Sequence, residues 1–170
     1  MDRLTLEPIG IIHSEHKVPK ETPIQPVCAQ GSAGHIEVFP QFAEGLDDID
    51  GFSHLHLIYW LHRADEIAGS VAGSTPLKVI PFLDDVPRGV FAVRSPVRPN
   101  PLGLSVVRLV ERRGAELLVK DLDVLDGTPL LDIKPYVEGF DLRLGTRGGW
   151  FEKVSREKFV SRGERRPDAE

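Results

Sequence analysis

Two short stretches concentrate the residue types that grip charged ligands. The first, RSPVRPNPLGLS from Arg94 to Ser105, sets two arginines, three prolines and an asparagine directly after the apolar run GVFAV. Three prolines fix φ and remove three backbone donors, so the segment is neither an interior strand nor a helix interior and keeps little conformational freedom. It presents Arg94 and Arg98 from a stiff platform, and guanidinium groups suit carboxylates, phosphates and the faces of aromatic bases. Proline-rich structural turns are common, but two arginines with Asn100 inside one favour ligand binding. The second stretch is KDLDVLDGTPLLDIKPY. Asp121, Asp123, Asp126 and Gly127 look like a calcium loop, yet Val124 and Leu125 break the alternate spacing of oxygens that such a loop requires. A strand ending at Asp123 or Val124, then a turn at Asp126-Gly127-Thr128-Pro129, fits better. Glycine there lets a ligand approach the main chain closely, although a plain hairpin turn would use the same residues.

A third candidate is the histidine set of FSHLHLIYWLHR. In a strand, His54 and His56 point to one face, and continued alternation brings His62 to it as well, which a metal site on a barrel wall could use. The only compact acidic pair in the next loop is Asp84-Asp85, and histidines with ordinary hydrogen bonds are the better reading, so no metal is expected. The glycine fingerprint of dinucleotide folds, the phosphate-binding P-loop and the G-x-S-x-G elbow are all missing. Any nucleotide-like cofactor must be held by a non-Rossmann arrangement.

The elements that position these residues read as short strands. Alternation and β-branched content predict them near Thr5–Ile12, His35–Phe39, His54–Leu61, Gly89–Val93, Ser105–Glu111, Glu116–Asp123 and Leu130–Pro135. Sixteen glycines and fourteen prolines leave few windows for an amphipathic helix. One or two helical turns are expected at Phe42–Leu46, Asp65–Ala68 and Ser155–Phe159. The fold class is therefore mainly β, a barrel or sandwich with long loops. The segment Lys17–Ala33 lacks periodicity and is expected to be a long ordered loop or a mobile flap, of the kind that often carries function.

A chain of 170 residues is the size of one domain, and its 41% hydrophobic and 28% charged composition is that of a soluble globular protein. No apolar run approaches the roughly 18 residues that span a bilayer, and the N-terminus does not resemble a signal peptide, so a cytoplasmic location without a membrane partner is expected. One cysteine, Cys28, excludes an intramolecular disulfide. The net charge of −5 is unevenly spread: Asp141 to Arg166 holds eight Lys or Arg against four Asp or Glu, whereas residues 1–140 hold thirteen against twenty. On charge alone this basic tail is a solvated surface segment rather than an RNA contact.

In order along the chain, IGIIHS, GFSHLHLIYWLHR, GVFAVRSPVRPNPLGLS and LDVLDGTPLLDIKPY resemble the TrmO (TsaA-like) family of S-adenosylmethionine-dependent tRNA methyltransferases, and span Ile9 to Tyr136. The resemblance implies a small β-barrel over residues 5–140, a basic C-terminal segment over 141–170 partly packed on it, and a homodimer. It also implies methylation of N6 of N6-threonylcarbamoyladenosine at position 37 in a tRNA anticodon stem-loop. The short chain is similar to the archaeal-type form. Carried over by motif, the cofactor contacts fall on Pro23, Ile24 and Gln25, on His62 and Arg63, on Arg94 and Leu104, and on Leu125, Asp126, Gly127 and Thr128. Many members carry an arginine where this chain has Ile24. S-adenosylmethionine presents a carboxylate, an ammonium, a sulfonium and an adenine, so a cation, several oxygen acceptors and an apolar slot are needed. Asp126, Asp132 and Tyr136 are the candidates for a base near the poorly nucleophilic N6; Arg98, Asn100 and Lys134 are the candidates for the threonyl carboxylate or a phosphate. Phosphate contact needs only a local positive surface, so the resemblance gives the basic tail weight as an RNA contact. A non-catalytic module that binds S-adenosylmethionine or RNA is the competing reading.

Overall fold

A computed structural model describes residues 4–67 and 75–163. Ala68 of the expected helix Asp65–Ala68, and residues 164–170 of the basic segment, lie outside them. Six strands close into an antiparallel barrel: β1 (Gly10–Ser14), β2 (Ala33–Val38), β3 (His54–Trp60), β6 (Leu102–Arg113), β7 (Glu116–Lys120) and β8 (Thr128–Pro135), in the order β1-β2-β7-β6-β3-β8. A two-stranded ribbon, β4 (Lys78–Val79) with β5 (Arg88–Gly89), stands apart. Two short helices follow, α1 (Glu138–Asp141) and α2 (Arg156–Gly163).

Strict alternation builds the barrel. Along HLHLIYW, Leu55, Leu57 and Tyr59 point inward and are buried, while His54, His56, Ile58 and Trp60 face outward. Ile12, Ile36, Val107, Leu117, Val119 and Leu130 complete an interior in which each fully buried Leu or Ile contributes roughly 1.5–3 kcal/mol. Two register shifts, at Ile58/Tyr59 against β8 and at Leu109/Glu111 against β7, supply the bending that closure demands. Strand ends differ from expectation for local reasons. The first strand is shorter than expected: β1 starts at Gly10, with Ile9 donating to the Leu130 carbonyl at 2.8 Å and accepting from Phe39 just after the donor-less Pro8, and β7 stops at Lys120 because Asp121 takes a left-handed φ of 64°. Of the expected strand Gly89–Val93 only Gly89 pairs, at the end of β5; Val90–Ala92 is a single 3-10 turn, anchored by Val90 N–H to the Leu77 carbonyl at 3.0 Å.

Gly103 pairs with Tyr59 across β3 and β6, and a Cβ there would lie 2.0 Å from the Tyr59 ring. Gly103→Ala must displace that buried ring, at an expected cost of about 1–3 kcal/mol. Thermal melts check this; an unchanged Tm would show that the ring has room to swing away.

Candidate functional site

The candidate residues gather mainly at one rim of the barrel, where β1 and β3 end and β2 and β8 begin. The turn Leu125–Thr128 is fixed there from both sides. Asp126 N–H donates to the His16 carbonyl at 2.8 Å and Gly127 N–H to Ile12 at 2.9 Å, while Thr128 Oγ1 donates to Leu125 at 2.6 Å. Gly127 needs its glycine because its φ is 74°. The Asp126 carboxylate accepts from Ser14 N–H at 3.0 Å and pairs with Lys17 Nζ at 2.8 Å, with His13 Nδ1 at 3.8 Å. The Lys17 hydrogen bond, with help from Ser14, holds Asp126 below the usual carboxylate range. The turn therefore fastens the root of the 15–32 loop.

His62 and Arg63 follow β3 at the same rim. His62 Nδ1 lies 3.3 Å from Thr128 Oγ1, whose own proton goes to the Leu125 carbonyl. Burial first, then the Arg63 charge, lowers the His62 pKa and keeps the ring neutral at pH 7. Arg63 donates to the Lys17 carbonyl at 3.1 Å and forms an exposed pair with Glu66. Arg94 reaches the loop from the platform side, donating from Nη1 to Gln25 Oε1. Pro23 is buried and Ile24 half-buried beside Gly163, whose carbonyl accepts Ile24 N–H at 3.2 Å. Arg63, Arg94 and Asp126 thus engage one loop from three directions, with Thr128 and His62 beside them.

The remaining candidates lie elsewhere. Leu104 is 58% exposed on the outer wall; it pairs with Ile58, which pairs in turn with Asp132, so the three form a row across β6, β3 and β8. Lys134 binds Asp132 on that wall at 2.7 Å. Arg98 and Asn100 line a cleft of about 330 Å³ with Phe91, Pro99 and Leu102. Tyr136 sits at the opposite barrel end, its ring 5.5 Å from His56 and 6.3 Å from His54, about 26 Å of strand away from Thr128. Within one chain it does not meet the rim.

His54 and His56 share the outer face as their alternation requires, but β3 ends before His62 and the three go to separate partners, Ser53, Asp141 and Thr128. Among the described residues, no three His, Cys, Asp or Glu side chains are arranged to hold a metal ion. In the tail, Lys158 and Arg162 both pair with Asp85 at 2.9 and 3.0 Å, and Trp150 Nε1 donates to Ala92 at 2.7 Å beneath Arg88. Two of the tail's cations are thus occupied within the chain.

Sequence reasoning passed over a buried polar chain at the rim. Tyr59 Oη meets Ser105 Oγ at 2.9 Å, and Ser105 donates to Asp123 Oδ1 at 2.5 Å. These residues are 5%, 2% and 8% exposed. Burial pushes the Tyr59 phenol up and raises the Asp123 carboxyl to about 6, with the Ser105 hydrogen bond and the Arg94 charge opposing the latter shift. The available signal was Ser105 on the inward phase of β6, where Val107 and Leu109 are apolar.

Comparison with known proteins adds to this geometry. The family model "tRNA-methyltransferase O N-terminal domain" matches residues 11–142. A probable S-adenosyl-L-methionine-binding protein of Pyrococcus abyssi is 56% identical over 146 residues, covering 86% of this chain and 75% of its own. The tRNA (adenine(37)-N6)-methyltransferase of Escherichia coli is 35% identical over 144 residues, 81% of this chain and 59% of its own. The crystal structure of TrmO from Pseudomonas aeruginosa matches with a TM-score of 0.70 at 34% identity, over 88% of this chain and 63% of that one. With the motifs, the closed barrel and the family model in agreement, the chain belongs to the tRNA-methyltransferase O N-terminal domain family.

Proposed function

We propose that the chain transfers a methyl group from S-adenosyl-L-methionine to N6 of N6-threonylcarbamoyladenosine at position 37 of a tRNA. The observation that carries the reading is the convergence of Arg94, Gln25, Arg63 and the Leu125–Thr128 turn on one loop at one rim. The residues fit the donor: an exposed guanidinium for its carboxylate, main-chain oxygens for its ribose or ammonium, and Leu125 for its apolar parts. Bound there, the donor supplies an electrophilic methyl group on a positively charged sulfur. The protein's part is to hold the acceptor nitrogen in line with that methyl and to exclude water, from which much of the acceleration of such a displacement arises.

The support for each further part differs. Asp126 stays ionised but is already matched by Lys17, so within the chain it serves better as an anchor than as a base. Asp132 and Lys134 on the outer wall, with Arg98 and Asn100 in the cleft, are proposed to meet the modified base and its phosphates. The exposed stripe Trp60, Leu102 and Leu104 favours a homodimer, which would join the outer wall of one protomer, and Tyr136 with it, to the rim of the other. No helix among the described residues is long and apolar enough to cross a membrane, and a tRNA substrate would place the protein in the cytoplasm. The commitment of Asp126 to Lys17 also favours a second reading, a module that binds the donor without catalysis.

Incubation with methyl-labelled S-adenosyl-L-methionine and tRNA pools bearing or lacking the threonylcarbamoyl group separates these. Label is expected in the first pool only. Equal labelling of both contradicts the substrate, and donor binding with no labelling at all leaves the non-catalytic module.

A further inference from the structure

We infer that Asp123 is the anionic anchor for the α-ammonium of the donor, set opposite Arg94, which takes its α-carboxylate. The inference rests on the proposed donor and names a residue that the motif carry-over leaves out. An α-amino acid carries both charges on one carbon, so its two anchors must be a cation and an anion that neighbour each other and face the same space. Arg94 and Asp123 both border the 15–32 loop, Arg94 through Gln25 and Asp123 next to the Leu122 carbonyl that His16 binds. Each lies within electrostatic reach of the other, yet among the described residues they form no ion pair, and Arg94 spends its hydrogen bond on the neutral Gln25.

The other rim carboxylates named above are already matched. Asp126 holds Lys17 and Ser14 N–H, Glu66 holds Arg63, and Asp121 holds Gly31 N–H at 2.8 Å and faces Arg108 at 3.5 Å. Asp123 accepts the Ser105 hydroxyl on Oδ1 and a backbone N–H of its own residue, and among the described residues no cation is paired with it. A carboxylate so deeply buried with no cation in contact is costly to the fold, and such a group persists where a ligand completes it. The groups that face it are few. Tyr59 from β3 and Ser105 from β6 lie behind it, Arg94 approaches from the platform, and His16 of the loop binds the Leu122 carbonyl at 3.0 Å next door.

Burial lifts the free protein's Asp123 to about 6, and an ammonium beside it favours the charged form. Donor binding near pH 6 therefore releases protons, and affinity rises as pH increases through that value, then levels. The folded protein bears the opposite burden: stability falls as pH rises from the ordinary carboxylate range to about 6 and the full cost of the buried charge is present above it, so Asp123→Asn, which still accepts from Ser105, removes that burden at pH 8.

Calorimetry at pH 6 and pH 8, in buffers of different ionisation heat, tests this with three probes. S-adenosylmethionine and S-adenosylhomocysteine carry the amino acid head, and 5′-methylthioadenosine lacks it. Asp123→Asn is expected to weaken the first two roughly 10- to 100-fold, to leave the third within about threefold, and to abolish the proton release. Its Tm at pH 8 is expected to equal or exceed that of the wild type. Equal weakening of all three probes, proton release that survives the substitution, or a lower Tm at pH 8 overturns the assignment in favour of a structural role. Ser105→Ala keeps the carboxylate and is expected to move the pH midpoint of S-adenosylmethionine binding without changing 5′-methylthioadenosine binding; an unmoved midpoint overturns the assignment too. Wild-type protein that binds none of the probes overturns the donor reading itself, and this inference with it.

Discussion

Arg94→Ala is expected to lower kcat/KM for methyl transfer to threonylcarbamoylated tRNA by roughly 100- to 1,000-fold, about 3–4 kcal/mol at 1.4 kcal/mol per tenfold. The side chain is exposed and its visible protein partner is the neutral Gln25, so little folding stability depends on it. Under the proposed function, what disappears is the cation that takes the donor's carboxylate at the rim. Arg94→Lys is expected to restore little, since an ammonium does not reproduce the planar two-pronged geometry of a guanidinium. Initial rates with both variants, beside thermal melts, check the point: a normal Tm with a collapsed rate is the expected pair. A rate within threefold of wild type for Arg94→Ala would remove Arg94 from the donor site.

Asp126→Ala is the second large effect, for a different reason. Its carboxylate ties Lys17 and the Ser14 amide to the Leu125–Thr128 turn, so its loss frees the root of the loop that Arg63 and Arg94 hold further along. A fall of roughly 30- to 100-fold in kcat/KM is expected, mainly through KM, because a loosened loop must be ordered again when the donor binds. Stability should change by no more than about 1 kcal/mol, as the Lys17 side is largely exposed. The pH profile separates this residue from Asp123. The Asp126 pKa is depressed, so its contribution is present above the ordinary carboxylate range and is lost only as pH falls through the lower folded value. It should therefore add no inflection between pH 5 and 8, where Asp123 should add one.

Much of this arrangement was legible in the sequence wherever one physical rule dominated. The alternation of HLHLIYW fixed both the strand and its faces, since a residue's side of a sheet follows from period two alone. Three prolines made 94–101 a stiff connection, and Asp126-Gly127 formed the turn that its residue types demand. The misses are tertiary. Residues 89–93 have strand composition, but pairing stops once Gly89 has faced Lys78 and Val90 has donated to Leu77, and a strand without a partner is not a strand. The link from Tyr59 through Ser105 to Asp123 joins three strands' worth of chain, and only barrel closure brings it together. The tail looked like free positive surface, whereas Asp85, more than seventy residues earlier, claims two of its cations. Tyr136 shares a motif with Asp126 in the sequence, yet a full strand stands between them.

The central claim is that this rim, and not the cleft near Arg98 or the end near Tyr136, receives the sulfonium donor. Hydrogen exchange with and without saturating S-adenosyl-L-methionine measures it directly. The account predicts slowed exchange in the 15–28 loop and in residues 122–128, with amides around Tyr136 unchanged. Donor binding that protects the Tyr136 end or the Phe91–Leu102 cleft while leaving the rim as it was would contradict it.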